Sequence, residues 1–183
     1  MTAGAMGAHH SARMLTDTWL TPPWILDALG PFGLDPCAAP EPRPWPTAAR
    51  HIGRPDDGLA AEWPPHDRVW LNPPYGPATG RWLGRLAAHG RGTALVFART
   101  ETSWFAETVW GAASGALFLN GRIRFCRPDG SASAGNSGAP SVLVAYGEDD
   151  ARILAGCGLD GTFARWERTG RRLSQMTLTG EAS

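Results

Sequence analysis

The sequence predicts an α/β fold, with a mostly parallel central sheet flanked by helices, and three observations carry that reading. From Arg68 onward apolar strands alternate with amphipathic segments, the order that builds a parallel sheet through right-handed crossovers. The run Thr93-Ala94-Leu95-Val96-Phe97-Ala98 is apolar throughout, as a strand covered on both faces must be. The interval from Asp35 to Asn72 is too short for two full crossover units of about 30 residues each, so the first half of the sheet is abridged. The 183 residues fit one domain, large enough to bury about two-thirds of the surface the unfolded chain exposes.

Residues 1–15 are small, polar and aperiodic and read as a disordered tail; the adjacent His9 and His10 belong to it. Trp24, Ile25, Leu26, Ala28 and Leu29 suit a helix ending near Gly30, with Thr21 as its N-cap and Pro22 at its first position. Phe32 to Asp35 read as a short buried strand ending in an acid, followed by the small residues Cys37, Ala38 and Ala39. Pro40, Pro42, Pro44 and Pro46 exclude a helix there and predict a loop, then a short strand near Arg50 to Gly53. Arg81 to His89 repeats apolar residues at helical spacing, with His89 as a cation at the helix end. A helix from Glu101 to Trp110, a strand from Gly115 to Leu119 and a last strand beginning at Pro140 follow. The Gly-, Ser- and Ala-rich segment between Cys126 and Ala139 is too polar to bury, and reads as either a mobile hairpin connection or a flap on the substrate. Ala151 to Leu154 suggest a short helix. The domain is therefore expected over residues 16–147, with 148–183 as a C-terminal extension, either part of the same domain or partly flexible.

Net charge is zero and every one of the 17 basic side chains is Arg, which argues against a uniformly basic nucleic-acid coat. Distribution matters more. Five Arg and no acid lie between Arg68 and Thr100, a second cluster holds Arg122, Arg124 and Arg127, and Arg165, Arg168, Arg171 and Arg172 form a third. Acids gather at Asp56 and Asp57 and at Glu148 to Asp150. Arg forks match phosphate geometry, so Arg81, Arg99, Arg122 and Arg124 are candidate phosphate contacts. Three cysteines without paired spacing indicate no structural metal and a reducing, cytoplasmic setting. No apolar run is long enough to span a bilayer, and Met1 to Met14 hold no signal core. His51, His66 and His89 stand near no nucleophile motif, which disfavours a hydrolase.

The chemistry concentrates at Val69-Trp70-Leu71-Asn72-Pro73-Pro74-Tyr75-Gly76. Two prolines remove two backbone donors and stiffen the turn, so the ladder stops after Leu71. Asn72 offers a side-chain carbonyl, the Asn72 and Pro73 main-chain carbonyls offer more, and Tyr75 supplies a flat ring. That set suits a planar amino group, whose nitrogen lone pair is delocalised until acceptors take its hydrogens.

Asn-Pro-Pro-Tyr after an apolar strand resembles the catalytic motif of S-adenosylmethionine-dependent amino methyltransferases, which act on adenine N6, cytosine N4 or a glutamine amide. Asp35-Pro36-Cys37-Ala38 resembles their first cofactor motif, here without the glycine that usually follows, which leaves the shape of that loop open. Thr21-Pro22, the run Arg99-Thr100-Glu101-Thr102-Ser103-Trp104-Phe105, Asn120 to Phe125 and the strand from Pro140 resemble, in the same order, the phage-type DNA N6-adenine methyltransferases. The resemblance implies an abridged Rossmann-like methyltransferase fold, S-adenosyl-L-methionine as cofactor and double-stranded DNA as substrate. It places Asn72, Pro73, Pro74 and Tyr75 at the reacting base and Thr21, Pro22, Asp35, Pro36, Cys37 and Asp57 at the cofactor, with Asp56 as the alternative to Asp57. It also implies a phage or prophage enzyme working in a bacterial cytoplasm. Cytosine N4 or another amino target, and a module that has lost catalysis, are the competing readings. No motif sets the recognition sequence or the oligomeric state.

Overall fold

The computed structural model describes residues 18–166; the N-terminal tail, Arg168, Arg171 and Arg172 lie outside them. Helix α1 (Pro23–Leu29) precedes strand β1 (Leu34–Asp35), then come β2 (Arg50–His51), β3 (Val69–Leu71), helix α2 (Thr79–His89) and β4 (Gly92–Phe97). Helix α3 (Ser103–Phe105) runs directly into a π-helical turn (Ala106–Trp110), followed by β5 (Gly115–Leu119), β6 (Ser141–Tyr146), α4 (Glu148–Gly156) and β7 (Gly161–Ala164). Thus the helix expected over 101–110 forms only from Ser103 and widens after one turn, and β7 adds a strand after the one expected to be last.

The seven strands form one sheet in the order β2-β1-β3-β4-β6-β5-β7. The pairings β1–β2, β1–β3 and β3–β4 are parallel, whereas β4–β6, β5–β6 and β5–β7 are antiparallel. The expected mostly parallel sheet is therefore corrected: the sheet is mixed, and its longest ladders are antiparallel. The reason is that β6 inserts between β4 and β5 and runs against both. β5 still points the same way as β1 to β4. Between β1 and β3 no helix intervenes, and Asp35 to Arg68 is spanned by loops and the short β2, the abridged half that chain length requires.

Alternation along the strands loads both faces. Val69, Leu71, Ala94, Val96, Val142 and Val144 pack with Trp82, Leu83 and Leu86 of α2 and with Phe105 and Val109. Trp70, Leu95, Leu117, Leu143 and Ala145 point the other way and pack with Ile25, Leu26 and Leu29 of α1 and Ala151 and Leu154 of α4. Ile123 and Phe125 join that second core. The segment 126–139 is therefore less polar in effect than its composition suggests: Cys126 bridges both Leu20 and Ala132, and Ser133 and Ala139 are buried.

Two of the five Arg between Arg68 and Thr100 have internal tasks. Arg68, just before β3, donates to Asp150 at 2.8 Å and to the carbonyls of Leu29 at 3.2 Å and Pro31 at 2.9 Å, and lies over the Phe32 ring. Asp150, in the first turn of α4 and only 1% exposed, also accepts from Thr93 Oγ1 at 3.0 Å. Arg85 of α2 donates to the carbonyls of Leu59 and Ala61 and lies over Trp63. The Nε2–H of His89 donates to the Asp67 carbonyl at 2.8 Å.

Asp150→Ala strands the Arg68 cation in a largely buried position, and removing one partner of such a pair costs about 3–5 kcal/mol. The urea unfolding midpoint of Asp150→Ala is expected to fall accordingly against wild type, with an unchanged slope.

Candidate active site

The residues singled out from the sequence converge where β1, β3 and β4 end. In open α/β sheets that carboxyl edge is where ligands bind. Asn72 follows β3 directly, and its Nδ2 donates to Thr21 Oγ1 at 3.3 Å. Thr21 stands at the head of α1 and is 2% exposed. It is not the helix cap: α1 begins at Pro23, the N-cap is Pro22, and no side chain caps the helix. Pro22 and Pro23 bring no backbone donors for a cap to satisfy, which leaves the Thr21 hydroxyl to orient Asn72. With its amide nitrogen so engaged, Asn72 has its side-chain carbonyl unbonded among the described residues.

Cys37 ties the end of β1 to the same turn: its Sγ donates to the Asn72 main-chain carbonyl at 3.3 Å. That carbonyl already carries one donor, whereas the Pro73 carbonyl has no partner among the described residues. Burial, with the Asp35 carboxylate beside it, pushes the Cys37 thiol well up, so it stays a neutral donor. Pro74 and Gly76 are held from below, with Thr79 Oγ1 donating to the Pro74 carbonyl and accepting from the Gly76 N–H, both at 3.2 Å. Tyr75 is 43% exposed and lies flat on Phe97, the last residue of β4, with ring centroids 4.0 Å apart and planes within 7°. Phe97 had no role in the sequence reading. Its signal was an aromatic at the carboxyl end of the central strand.

Asp35 is buried, and its two oxygens have internal partners: Oδ1 accepts from the Cys37 N–H at 3.1 Å and Oδ2 from the Thr47 hydroxyl. Thr47 in turn is held by His51, whose Nε2 accepts from the N–H groups of Thr47 and Ala48. Nothing in the sequence marked Thr47. Burial pushes the Asp35 carboxyl up to about 6 against the pull of Thr47, the Cys37 N–H and Arg43.

The loop after β1 lacks its usual glycine, and close approach is supplied from across it. A Cβ on Gly58 would stand 1.7 Å from the Pro36 carbonyl oxygen, and one on Gly53 would stand 2.6 Å from that of Ala38. Gly58 thereby seats the exposed Asp57 beside Pro36, with Asp57 Oδ1 accepting from the Leu59 N–H at 2.9 Å. Arg81, Arg99, Arg122 and Arg124 are all exposed. They leave elements that follow the carboxyl ends of β3, β4 and β5, so they rise from the edge that carries Asn72. Arg99 has a distant 4.0 Å pairing with Glu101, and Arg122 donates to the Ser137 carbonyl at 3.2 Å. Among the described residues no three His, Cys, Asp or Glu side chains gather in a form that could hold a metal ion, and no helix is long and apolar enough to cross a membrane.

The folded chain keeps the Asp35 proton up to about pH 6, whereas an unfolded chain releases it near 3.8. The folded state therefore binds more protons across that window, and stability falls as pH rises through it. Asp35→Asn removes this titration, so its stability relative to wild type is expected to rise by roughly 3 kcal/mol between about pH 4 and pH 7, read from denaturant melts at each pH.

No curated protein and no solved structure matches the chain. A family model, that of the DNA N-6-adenine-methyltransferases (Dam), matches residues 9–156. That span takes in each element of the Asn72 edge, from Thr21 to Ser141, and the chain belongs to the DNA N-6-adenine-methyltransferase (Dam) family, enzymes specific for adenine in DNA.

Proposed function

We propose that this protein methylates the N6 amino group of adenine in double-stranded DNA, with S-adenosyl-L-methionine as methyl donor and Asn72 to Tyr75 as the reacting centre. The observation that carries the reading is the Thr21–Asn72 contact at 3.3 Å, which engages the Asn72 amide nitrogen and leaves its side-chain carbonyl without a partner among the described residues, in the turn that carries the exposed Tyr75 ring. The arrangement of the sheet, read with the family, supports an abridged Rossmann-like methyltransferase fold.

The residues around the β1 loop fit such a cofactor. Two glycines allow backbone to crowd Pro36 and Ala38, and Asp57 holds a carboxylate oxygen free of its own turn. The Thr21 hydroxyl is a donor at the same edge. Thr21 and Pro22, Pro36 and Cys37, and Asp57 would hold the cofactor, and Asp35 would shape the loop through Thr47 and Cys37. When bound, the cofactor supplies an electrophilic methyl group.

The amino group of a paired adenine is hidden in the duplex, so the base must be flipped out, at a few kcal/mol of unstacking. Tyr75 offers it a stacking surface. Asn72 Oδ1 and the Pro73 carbonyl accept the two amino hydrogens, which localises the lone pair on nitrogen and points it along one direction. Carbonyl acceptors suffice because the nucleophile is neutral, and the displaced proton leaves to water after transfer. Arg81, Arg99, Arg122 and Arg124 take phosphates on either side. In this reading the enzyme is a phage or prophage product acting in a bacterial cytoplasm.

The test is transfer of labelled methyl groups to duplexes that differ only in adenine or cytosine at the target. Adenine-dependent label is expected, and label that follows cytosine overturns the reading. Asn72→Ala is expected to lower the turnover rate at least 100-fold, with calorimetric affinity for S-adenosylmethionine kept within a few-fold. Replacing Arg122 and Arg124 together by Ala is expected to lower the slope of log K against log salt for duplex binding by about 2.

A further inference from the structure

Ser141 opens β6 directly opposite Phe97 in the β4–β6 ladder. Opposed residues send their side chains to the same face. That face is the α1 side, because Leu95 and Leu143, two residues further along each strand, both pack into the core that Ile25, Leu26 and Leu29 fill. Asn72 turns to the same side, since its amide reaches Thr21 at the head of α1. Asn72, Phe97 and Ser141 thus come from neighbouring strands β3, β4 and β6 and crown one side of one edge.

Ser141 is 2% exposed, and its Oγ is buried with no hydrogen-bond partner among the described residues. The contrast with its surroundings is sharp: the hydroxyls of Thr47, Thr79, Thr93, Thr108, Ser133 and Ser137 all donate to an acceptor. The other buried orphan, Asp150 Oδ2, belongs to a carboxylate already bonded through Oδ1 to Arg68 and Thr93. Burying a hydroxyl without a partner is unfavourable, and such a group at a ligand edge is available to donate to an incoming acceptor.

We propose that Ser141 positions the flipped base: its hydroxyl donates to a ring nitrogen of the adenine whose amino group Asn72 and Pro73 hold. Entry of the base parts the Tyr75–Phe97 stack and gives the ring edge access to the hydroxyl beside Phe97. The inference rests on the methyl-transfer reading above and adds to it a second point of recognition, on the ring itself. Two points on one planar ligand set its rotation in the pocket, which a stacking surface and an amino clamp do not.

The experiment compares wild type and Ser141→Ala on a duplex that the wild type methylates, and on the same duplex with the target replaced by 1-deaza-, 3-deaza- or 7-deazaadenine. Ser141→Ala is expected to melt no lower than wild type, since it removes an unpaired buried group, and to lose about 10-fold in kcat/KM on adenine. With the one analogue that lacks the bonded nitrogen, wild type drops by the same factor and Ser141→Ala drops no further. Unchanged kcat/KM for Ser141→Ala on adenine overturns the proposal. So does a loss that is equal on adenine and on all three analogues, which assigns the hydroxyl to the fold and not to the base. A wild-type protein that transfers no methyl group to any adenine duplex overturns the underlying reading and this inference with it.

Discussion

A largely buried guanidinium at the edge of the sheet opposite the candidate site holds the frame together. Arg68 satisfies two carbonyls at the end of α1, pairs with Asp150 at the start of α4, and through that carboxylate is linked to Thr93 on β4. Four elements that are distant in sequence are so fixed to one cation. An unpaired charge in that position is costly, and the alternatives to this packing are correspondingly disfavoured. Because Arg68 pins the C-terminal end of α1 at the amino edge, the other end of that short helix must lie at the carboxyl edge, where Thr21 meets Asn72.

From there the site is built by hydrogen bonds between segments, with few charges. Thr21 takes the Asn72 amide, Cys37 takes its main-chain carbonyl, and Thr79 closes the turn beneath Pro74 and Gly76. What remains open to a ligand is what those bonds leave over: one side-chain carbonyl, one proline carbonyl and a ring lying on Phe97. A neutral amino nucleophile needs this kind of site, since hydrogen-bond acceptors placed in advance act without an ionised base. The buried acid nearby serves the loop, with Asp35 held between Thr47 and the Cys37 N–H.

Local patterns carried much of this architecture. Apolar patterning located α2, β4 and β5 to within a residue or two, through helical spacing in α2 and a continuous apolar run in β4. Proline spacing ruled out a helix after β1, and the short interval before Asn72 required the missing crossovers. The mixed sheet was not legible. A strand that is apolar on both faces reads the same whether its neighbour runs with it or against it, so the reversal of β6 left no trace in Ser141 to Tyr146. The Arg cluster between Arg68 and Thr100 divides for a similar reason: Arg68 and Arg85 look like their exposed neighbours until carbonyls and an acid from other segments close on them.

Sequence by itself determined the candidate turn, since two prolines and an Asn after an apolar strand have a narrow range of conformations and offer acceptors suited to a planar amino group. It also determined, through the order of its motifs, the family. Tertiary structure alone decided which atoms of that turn stay free. Whether the Asn72 carbonyl or its amide faces a ligand depends on Thr21, 51 positions away, and whether a glycine is needed after Asp35 depends on Gly53 and Gly58 approaching from across the loop. Contacts of this kind are made between segments that share no local pattern, so no reading of either segment contains them.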